Sequence, residues 1–506
     1  MFMLEIIFFI IYALNMVLLF YYGIHTYLMV YWCNKYRNNT ALTGKRLASH
    51  PMVTVQIPVF NEKYVVERVI RGAAEIDYPK TKLEIQVLDD STDETLDISR
   101  RLVEKYRREG YLIKLFHREK RTGHKGGALR EAMEKAGGEF IAVFDADFVP
   151  HRDFLKATLP VLMEDGRMGM VQTRWGHMNA DYSMLTRAQS IGIDGHFIID
   201  QIARGGSGRL FMNFNGTAGI WRKECIVDAG NWQDDTLTED FDLSYRAMLR
   251  GWKFRYLKDI VNPQELPVQV SAYKSQQFRW AKGSIQTAMK LAGRILLSRE
   301  RPIVKAEALT HLTYYSVHPL MIINILCTVP LLSYLPELSK YTYPFYIAGP
   351  LFTLASLGPL FFYAYSQFFL YEDWKRRILF VPFMMIFGAG IAVNNTKAFL
   401  EALAGKKSGF VRTPKHGISK KGDGWKDKKY RSPVSAVSLL ELVMGTISLY
   451  GIVAAFRGGS YFVIPFLAIY TVSFFFIFIL EMAQTISQRR GPRQENAARL
   501  PAAEAL

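Results

Sequence analysis

FIAVFDAD, residues 140–147, is a short apolar run that ends in Asp-Ala-Asp, and three similar runs surround it in the sequence. They are VTVQIPVF at 53–60, LEIQVLDD at 83–90 and MGMVQTRW at 168–175. Largely apolar runs are typical of parallel strands covered by helices on both faces, and helical patterns separate these four. The sequence therefore predicts an α/β domain with a doubly wound, mostly parallel sheet at residues 50–270, which binds its ligand beyond the carboxyl ends of the strands.

Apolar stretches lie on both sides of this domain. Residues 4–32 contain no Lys or Arg and are long enough for a tilted transmembrane span. Further spans are predicted at 309–332, 346–370, 434–456 and 461–481. The chain is thus expected to comprise an N-terminal anchor (1–34), the α/β domain (50–270), interfacial helices (271–302), an α-helical transmembrane region (303–485) and a cytoplasmic tail (486–506).

The basic residues indicate how these segments lie in the membrane. The net charge of +17 would permit nucleic-acid binding, but Lys and Arg cluster beside the apolar runs, as the positive-inside rule requires. We expect no nucleic-acid partner, and an integral protein of the plasma (inner) membrane with the α/β domain in the cytoplasm. The apolar segment at 378–402 is short, and a crossing there would put the basic loop 406–431 outside. It is therefore predicted to be an interfacial or re-entrant helix.

Acidic residues end two of the predicted strands. Asp89 and Asp90 end the second, and Asp145 and Asp147 end the third. Alternate residues of a strand share a face, so Asp145 and Asp147 are predicted to point into one cleft. A single aspartate at such a position often caps a helix, but two clusters in one domain favour a site for Mg²⁺ or Mn²⁺ that also binds a diphosphate.

Two further motifs follow in order along the chain. Thr238-Glu239-Asp240 alone would be a plausible helix start, and the Gln-x-x-Arg-Trp motif of Gln276, Arg279 and Trp280 alone a plausible membrane-surface anchor. The ordered set D, D-x-D, T/E-E-D and Q-x-x-R-W resembles the processive branch of glycosyltransferase family 2, the cellulose, chitin and hyaluronan synthases. The resemblance covers residues 52–280. The stretches VQIPVFNE, QVLDDSTDET, FDADF, FNGTAGIW and GWKF look most like the plant cellulose synthase-like proteins that make glucomannan backbones.

This resemblance implies a GT-A-like nucleotide-sugar domain with a defined role for each motif. Asp240, with Glu239 beside it, would be the catalytic base, and Asp145 and Asp147 would bind the metal. Residues expected to bind the nucleotide sugar are Phe60, Glu62, Asp89, Asp90, Lys125, Asp145, Gln276 and Arg279. Residues expected at the acceptor are Trp280, Asn215, Gly216 and Thr217. A gating loop at 404–432 would carry Phe410, Thr413 and Lys415, with Arg412 where the family often has Val.

The implied function is an inverting, processive transferase that polymerises a hexose from UDP-glucose or GDP-mannose into a β-linked glucan or mannan and translocates it. Its partners would be the nucleotide sugar, the growing polysaccharide or a glycolipid acceptor, membrane lipid and accessory export proteins. A transferase that adds one sugar to a membrane lipid shares the same motifs and remains an alternative. A transporter or receptor with a nucleotide-sensing domain is less favoured, since the membrane region has no evident internal repeat and few ionisable residues.

Overall fold

A computed structural model describes residues 2–42, 47, 49–334, 342–409, 412–426, 428–430 and 436–489. Within them the strands are β1 Val53–Val59, β2 Leu83–Asp89, β3 Leu112–His117, β4 Phe140–Val143, β5 Met168–His177, β6 Gly219–Arg222 and β7 Lys253–Gln264. The helices of the N-terminal half are α1 Phe2–Tyr36, α2 Val66–Ala74, α3 Thr95–Arg108, α4 His124–Glu134, α5 Phe154–Glu164, α6 Met184–Gly195, α7 Gln201–Ser207, α8 Lys223–Asp228, α9 Glu239–Met248 and α10 Val270–Leu297. Those of the C-terminal half are α11 Pro302–Thr313, α12 Val317–Tyr334, α13 Thr342–Leu370, α14 Trp374–Arg377, α15 Val381–Gly390, α16 Ala392–Leu403, α17 Val437–Arg457 and α18 Ile464–Arg489.

The strands form one sheet in the order β3-β2-β1-β4-β6-β5-β7. β1 pairs in parallel with β2 and β4, β2 with β3 and β5 with β7, while β6 runs antiparallel to both β4 and β5. All seven side chains of β2 are buried, as expected for a strand covered on both faces. The predicted α/β class with a mostly parallel sheet is confirmed, and β3, β6 and β7 are strands that the apolar runs did not predict.

The third predicted strand is shorter than the run suggested. β4 ends at Val143, and Asp145 and Asp147 lie in the turn beyond it, where the Phe148 N–H donates to the Asp145 carbonyl at 3.1 Å. The argument from strand alternation was therefore wrong for these two residues, because the ladder with β6 stops at the pair Val143 and Gly219. Both side chains still line one cleft, because the turn that carries them follows the carboxyl end of β4.

Four helical segments among the described residues are long and apolar enough to cross a membrane. They are Ile7–Thr40, Pro302–Leu332, Val437–Arg457 and Tyr461–Gln488. α13 coincides with the predicted span at 346–370 and packs against α1, although side chains are described only from residue 351 onward. The protein is an integral membrane protein, and the transmembrane assignment of α13 stays a prediction.

The segment predicted as an interfacial helix consists of two helices with a bend between them. Trp374–Gly390 and Ala392–Leu403 meet at 43°, a geometry that suits a broken span or a re-entrant loop. The second helix packs along α10. The interfacial assignment therefore stays a prediction, and Phe410 and residues 490–506 of the predicted tail lie outside the described residues.

The long helix α10 joins the α/β domain to the membrane helices. Near its beginning, Lys274 Nζ lies 2.7 Å from a carboxylate oxygen of Glu441 on α17 and 2.6 Å from one of Glu481 on α18. All three side chains are buried, at 3% exposure or less. Because α10 also carries Gln-x-x-Arg-Trp, this ion triad (Lys274, Glu441 and Glu481) connects that motif directly to the membrane helices.

Candidate active site

One cleft lies beyond the carboxyl ends of β1, β2 and β4. The loops after these strands form one side of the cleft, and the start of α9 and one face of α10 form the other side. Its volume is about 1050 Å³, part of it open to solvent. Fifteen of the residues predicted from the sequence line it: Phe60, Glu62, Asp90, Lys125, Asp145, Asp147, Asn215, Gly216, Glu239, Asp240, Gln276, Arg279, Trp280, Thr413 and Lys415. Two others lie behind its wall. The Asp89 carboxylate accepts from the Ser91 N–H at 2.8 Å, and Thr217 Oγ1 accepts from the Asp145 N–H at 2.9 Å.

Lys125 lies in the first turn of α4, directly beside Asp145. Its Nζ is 2.6 Å from Asp145 Oδ1 and donates to the Gly216 carbonyl at 2.8 Å. Burial by itself would lower the pKa of Lys125, but the negative charges of Asp145 and Glu239 outweigh it and raise that pKa. The turn needs glycine at position 127, because a Cβ there would lie 2.1 Å from the Thr122 carbonyl oxygen. Lys125 is therefore a fixed cation beside Asp145 in the cleft.

Asp147 is paired with a lysine of the predicted gating loop. Lys415 Nζ lies 2.7 Å from Asp147 Oδ2 and also donates to the Glu265 carbonyl. The Glu265 carboxylate accepts from the His416 and Gly417 N–H groups, each at 2.8 Å, and so fixes the loop backbone. Arg412, Thr413 and Lys415 of this loop line the cleft, and the lysine lies against the second aspartate of Asp-Ala-Asp.

Asp145 and Asp147 fit a divalent cation that is shared with a diphosphate. Their carboxylates, 34% and 9% exposed, face one cleft and offer the hard oxygen ligands that Mg²⁺ and Mn²⁺ prefer. No group of three or more His, Cys, Asp or Glu residues among those described could hold a metal ion. Mg²⁺ is commonly bound by one or two carboxylates together with substrate phosphates and water, which is the kind of site that this pair offers.

Asp240 lies in the first turn of α9 with its carboxylate in the cleft. Burial and the adjacent charge of Glu239 raise the pKa of Asp240 to about 7, although Lys125 opposes the shift. The Phe241 N–H donates to Asp240 Oδ1 at 2.8 Å, which leaves the other oxygen facing Gly216. Gly216 has φ of 79°, and a Cβ there would lie 2.9 Å from Asp240 Oδ2. The carboxyl group is thus poised to change protonation near neutral pH beside a residue that must remain small.

Gln276, Arg279 and Trp280 occupy positions i, i+3 and i+4 of α10 and so share one face of the helix. That face is held close to the start of α9, since a Cβ on Gly283 would lie 2.5 Å from Thr238 Cγ2. Burial lowers the pKa of Arg279, and the nearby carboxylates, Glu239 foremost, oppose that shift. The motif therefore brings a guanidinium, an amide and an indole ring to the side of the cleft opposite Asp145.

Three arginines that the sequence analysis did not assign contact Phe60, Glu62 and Asp90 at one end of the cleft. Arg118 forms a bidentate pair with Asp90 at 2.9 and 2.7 Å, and the Arg121 guanidinium lies 3.6 Å from the centre of the Phe60 ring. Both belong to the basic run HREKR at 117–121, a signal that could have indicated them. Arg412 pairs with Glu62 at 3.1 Å. Burial raises the pKa of Glu62 to about 7, with the Arg412 charge opposing it.

A second and larger cavity, of about 3780 Å³ and also partly open to solvent, lies next to the first. The two share six wall residues: Trp175, Asn215, Thr238, Asp240, Gln276 and Trp280. From there the cavity continues among α1, α12, α13, α15 and α18, and most of its lining is apolar. The cleft that holds Asp240 therefore adjoins a space between the membrane helices.

Comparison with known proteins gives consistent matches. Residues 50–283 match the family described as glycosyltransferase like family 2. Glucomannan 4-beta-mannosyltransferase 7 of Arabidopsis thaliana is 34% identical over 419 residues, which are 80% of this chain and 72% of that protein. Glucomannan 4-beta-mannosyltransferase 1 of Cyamopsis tetragonoloba is 41% identical over 277 residues, 53% of this chain and 51% of that protein.

A solved structure shares the fold. It is a mannosyltransferase from Pyrobaculum calidifontis in complex with GDP-Man and Mn²⁺, with a TM-score of 0.51 and 21% sequence identity. The match covers 78% of this chain and 100% of that one. The GT-A-like arrangement expected from the sequence motifs is thereby shown.

Proposed function

Because the chain belongs to glycosyltransferase family 2, in the cellulose synthase-like branch with the glucomannan 4-β-mannosyltransferases, we propose that it polymerises mannose from GDP-mannose into a β-linked mannan. The activity named for the similar plant proteins, and the GDP-Man bound by the solved mannosyltransferase, favour this donor over UDP-glucose. Transfer is processive and inverts the anomeric centre.

Asp240 is the general base of the proposed reaction. The acceptor hydroxyl attacks the anomeric carbon while Asp240 takes the hydroxyl proton, and the bond from that carbon to the diphosphate oxygen breaks. A single in-line displacement on an α-linked donor gives a β-linked product and releases the nucleoside diphosphate. Gly216 leaves room for the acceptor beside Asp240, and Trp280 offers a flat face to the sugar ring.

The leaving diphosphate is stabilised by cations on two sides. Mg²⁺ or Mn²⁺ held by Asp145 and Asp147 would neutralise charge on the phosphates. Lys125 and Arg279 supply further fixed positive charges to the diphosphate, and Gln276 supplies an amide donor. Phe60, Glu62 and Asp90 line the nucleotide end of the cleft.

The observation that carries the proposal is that the two cavities adjoin and share part of their wall. Asp240 and Trp280 line both, so a sugar transferred at Asp240 already lies at the mouth of the space between the membrane helices. A transferase that adds one sugar to a lipid has no need of such a passage. We therefore favour polymer synthesis coupled to translocation across the plasma membrane, with the α/β domain in the cytoplasm and accessory export proteins on the far side.

The proposal is tested with detergent-solubilised protein and radiolabelled GDP-mannose or UDP-glucose. With Mn²⁺ present, we expect GDP-mannose to yield a product of polymer size that a β-mannanase digests, and excess chelator to abolish its synthesis. Asp240→Asn protein is the matched control for background transfer. A product limited to one sugar on a lipid would contradict processivity, and incorporation from UDP-glucose alone would contradict the proposed donor.

A further inference from the structure

One lysine of α10 contacts the chain on both sides of the Thr-Glu-Asp motif. Lys290 Nζ donates to Gln233 Oε1 at 2.7 Å and to Asp235 Oδ1 at 2.7 Å, and it lies 3.0 Å from Asp242 Oδ1. An ammonium group has three N–H donors, which matches these three partners. Two of the partners precede Asp240 in the sequence and the third follows it. Lys290 therefore bridges the two sides of the segment that carries the proposed base.

Further contacts extend along the same face of α10. The Leu237 N–H donates to Gln286 Oε1 at 3.0 Å, and Thr238 Oγ1 lies 3.5 Å from Thr287 Oγ1. Gly283, one turn earlier, packs against Thr238. Positions 283, 287 and 290 are spaced i, i+4 and i+7, the spacing of a single helix face. This face, which follows the Gln-x-x-Arg-Trp motif, thus contacts the segment 233–242 at each successive turn of the helix.

The carboxylate of Asp242 is buried and has a second cation. Its Oδ2 accepts from Arg246 Nε at 2.8 Å, and Arg246 also donates to the carbonyls of Ala229 and Asn231, which fix the arginine in place. The Asp242 side chain is 0% exposed, whereas that of Lys290 is 24% exposed. Loss of the Lys290 ammonium would therefore release the segment without leaving a buried carboxylate unpaired.

The position of Asp240 depends on how this segment is held. Lys290 does not line either described cavity, whereas Asp240 lines both. A general base must lie within hydrogen-bond reach of the proton that it takes, and a misplacement of about 1 Å can lower the rate by about 10²-fold. The contacts of the segment 233–242 with α10 fix the start of α9, and with it the distance from Asp240 to the Gln-x-x-Arg-Trp motif of the same helix.

On the basis of the proposed function, in which Asp240 is the general base, we propose that Lys290 is a positioning residue for that base. Its contacts with Gln233, Asp235 and Asp242 hold the segment 233–242 against α10. The base and the residues that face the diphosphate are thereby held by one helix. Lys290 contributes to the rate of transfer and not to the binding of the donor.

Lys290→Met tests this role by separating kcat from donor binding. We expect the kcat for transfer from GDP-mannose to fall by about tenfold or more, because the base is no longer held at the acceptor hydroxyl. The affinity for GDP in the presence of Mn²⁺ should stay near wild type, and Lys290→Arg, which keeps the charge, should restore most of the rate. A lysine with a purely structural role would lower GDP affinity together with kcat, and that result would overturn the proposal.

Arg294→Met is the matched control. Arg294 is exposed and lies one turn further along α10, so the variant removes one positive charge from the same helix without touching the segment 233–242. Its kcat should equal that of wild type. An equal loss of kcat in Arg294→Met and Lys290→Met would contradict a specific role for Lys290.

The same substitution in an Asp240→Asn background shows whether Lys290 acts through Asp240. Its effect on kcat should disappear there, because the base is already absent. An equal fold loss in both backgrounds would mean that Lys290 acts through another group, and the proposal would fall. Mannan synthesis that Lys290→Met leaves at the wild-type rate would refute the positioning role alone, whereas absence of turnover from any donor would refute the proposed function.

A second variant does not depend on the folding of the lysine substitution. Asp235 is 57% exposed, so Asp235→Asn should leave the fold intact while it weakens one of the three contacts of Lys290. We expect kcat to fall by about threefold, the size of effect that an exposed ion pair can have. A wild-type kcat in Asp235→Asn would contradict the proposed contact, and GDP affinity measured on the same preparation reports the state of the donor cleft.

Discussion

At the scale of single residues, the donor end of the cleft contains acids that the chain itself partners. Asp90 pairs with Arg118, Asp145 with Lys125, Asp147 with Lys415 and Glu62 with Arg412. Asp240 differs from these four because its Oδ1 accepts from the Phe241 N–H, and the cation near it, Lys125, is the one that pairs with Asp145. Burial and its neighbour Glu239 raise the pKa of Asp240 to about 7, as burial does the pKa of Glu62, and Lys125 only partly compensates. This separation of roles predicts different consequences when each acid is neutralised.

Asp240→Asn should lower the turnover number for mannose transfer by about 10²-fold or more, because general base catalysis contributes at least that much. Affinity for GDP in the presence of Mn²⁺ should stay near wild type, since the diphosphate contacts come from elsewhere. Asp147→Asn should instead weaken Mn²⁺-dependent GDP binding as well as turnover. Near-normal synthesis by the Asp240→Asn protein would remove this residue from the mechanism.

The pH dependence of kcat/KM should reflect the environment of Asp240. A general base works only when deprotonated, and the raised pKa of Asp240, about 7, means that activity should rise as pH passes through neutrality. An ordinary aspartate would give the same limb near pH 4. Initial rates at low GDP-mannose, measured from pH 5 to 9 in one buffer system of constant ionic strength, distinguish the two. A kcat/KM that stays constant from pH 5 through neutrality, as an acidic limb near pH 4 requires, would show that Asp240 is not the titrating base.

At the scale of elements, the loop after α16 matters most for the donor site. Residues 412–417 reach from Glu62 to Glu265 across the cleft and bring Arg412, Thr413 and Lys415 to it. The loop is also held at its far end, where Tyr430 Oη donates to an Asp93 oxygen. Because Lys415 of this loop lies against Asp147, the lysine and a metal ion would compete for the Asp147 carboxylate.

Lys415→Met should therefore strengthen Mn²⁺ binding in the absence of nucleotide, by about tenfold if the lysine contributes as a charged hydrogen bond does. The same substitution should weaken binding of GDP, which loses a cation at its phosphates. Free Mn²⁺ measured by electron paramagnetic resonance gives the first quantity, and equilibrium dialysis gives the second. Lys420→Met, an exposed change in the same loop, is the control. Unchanged Mn²⁺ affinity in Lys415→Met would contradict the competition.

A strand could be predicted from the sequence where its own residues carry a clear apolar pattern, and was missed where its place depends on pairing with distant residues. β1 and β2 were predicted because each is an apolar run bounded by polar residues, and both are buried along their length. β3 was missed because it lies at the sheet edge, where exposed Leu112, Lys114 and His117 break the apolar pattern. β6, four residues long, was not predicted as a strand, and most of it lies in the FNGTAGIW motif. Its antiparallel direction depends on distant pairing that no local pattern contains.

The same distinction holds within the candidate site. Asp145, Asp147 and Asp240 were predicted from motif order, and the structure brings them into one cleft. Asp89 and Asp90 are adjacent, so the sequence left both open. Only the turn after β2 determines that Asp90 enters the cleft while Asp89 bonds the backbone of Ser91. The pairing of Arg412 with Glu62 spans 350 positions of the sequence and became visible only in three dimensions.

At the scale of the whole molecule, α10 connects transfer chemistry to the membrane helices. The ion triad holds the beginning of this helix against α17 and α18, and Gln484 of α18 accepts from the Val270 N–H at 2.8 Å. Two residues after Lys274 comes Gln276, which lines the cleft. Movement of the membrane helices would therefore reach the active site through a single rigid element.

Lys274→Met should destabilise the solubilised protein by about 3–5 kcal/mol, because it leaves two buried carboxylates without their cation. The triple variant that also carries Glu441→Gln and Glu481→Gln should recover much of that loss, since no buried charge remains. Lys63→Ala, which breaks the exposed pair with Glu94, should cost no more than about 1 kcal/mol. Thermal unfolding in one detergent compares all three. Lys274→Met protein as stable as the Lys63 control would contradict the assigned role.

Membrane topology gives a further prediction at this scale. Ser419 is exposed in the loop that contacts the α/β domain, and both are expected in the cytoplasm. A cysteine at position 419 should resist an impermeant thiol reagent added to intact cells and react after permeabilisation. The native cysteines Cys33, Cys225 and Cys327 are all buried and so contribute little background. Labelling in intact cells would mean that the segment 378–402 crosses the membrane.

The pairing of the donor-site acids with cations of the chain also bears on how the substrate reaches them. A sugar nucleoside diphosphate carries two negative charges and its metal two positive ones, so together they arrive with no net charge. They meet a cleft whose four acids are already paired with lysine or arginine. When the metal ion replaces such a cation beside an acid, the exchange is local, and little long-range electrostatic attraction is involved. The rate of donor capture should consequently vary little with ionic strength. A cleft of unpaired carboxylates would instead attract the metal ion first by its negative charge. That attraction would weaken as salt is added, so the rate of donor capture would fall.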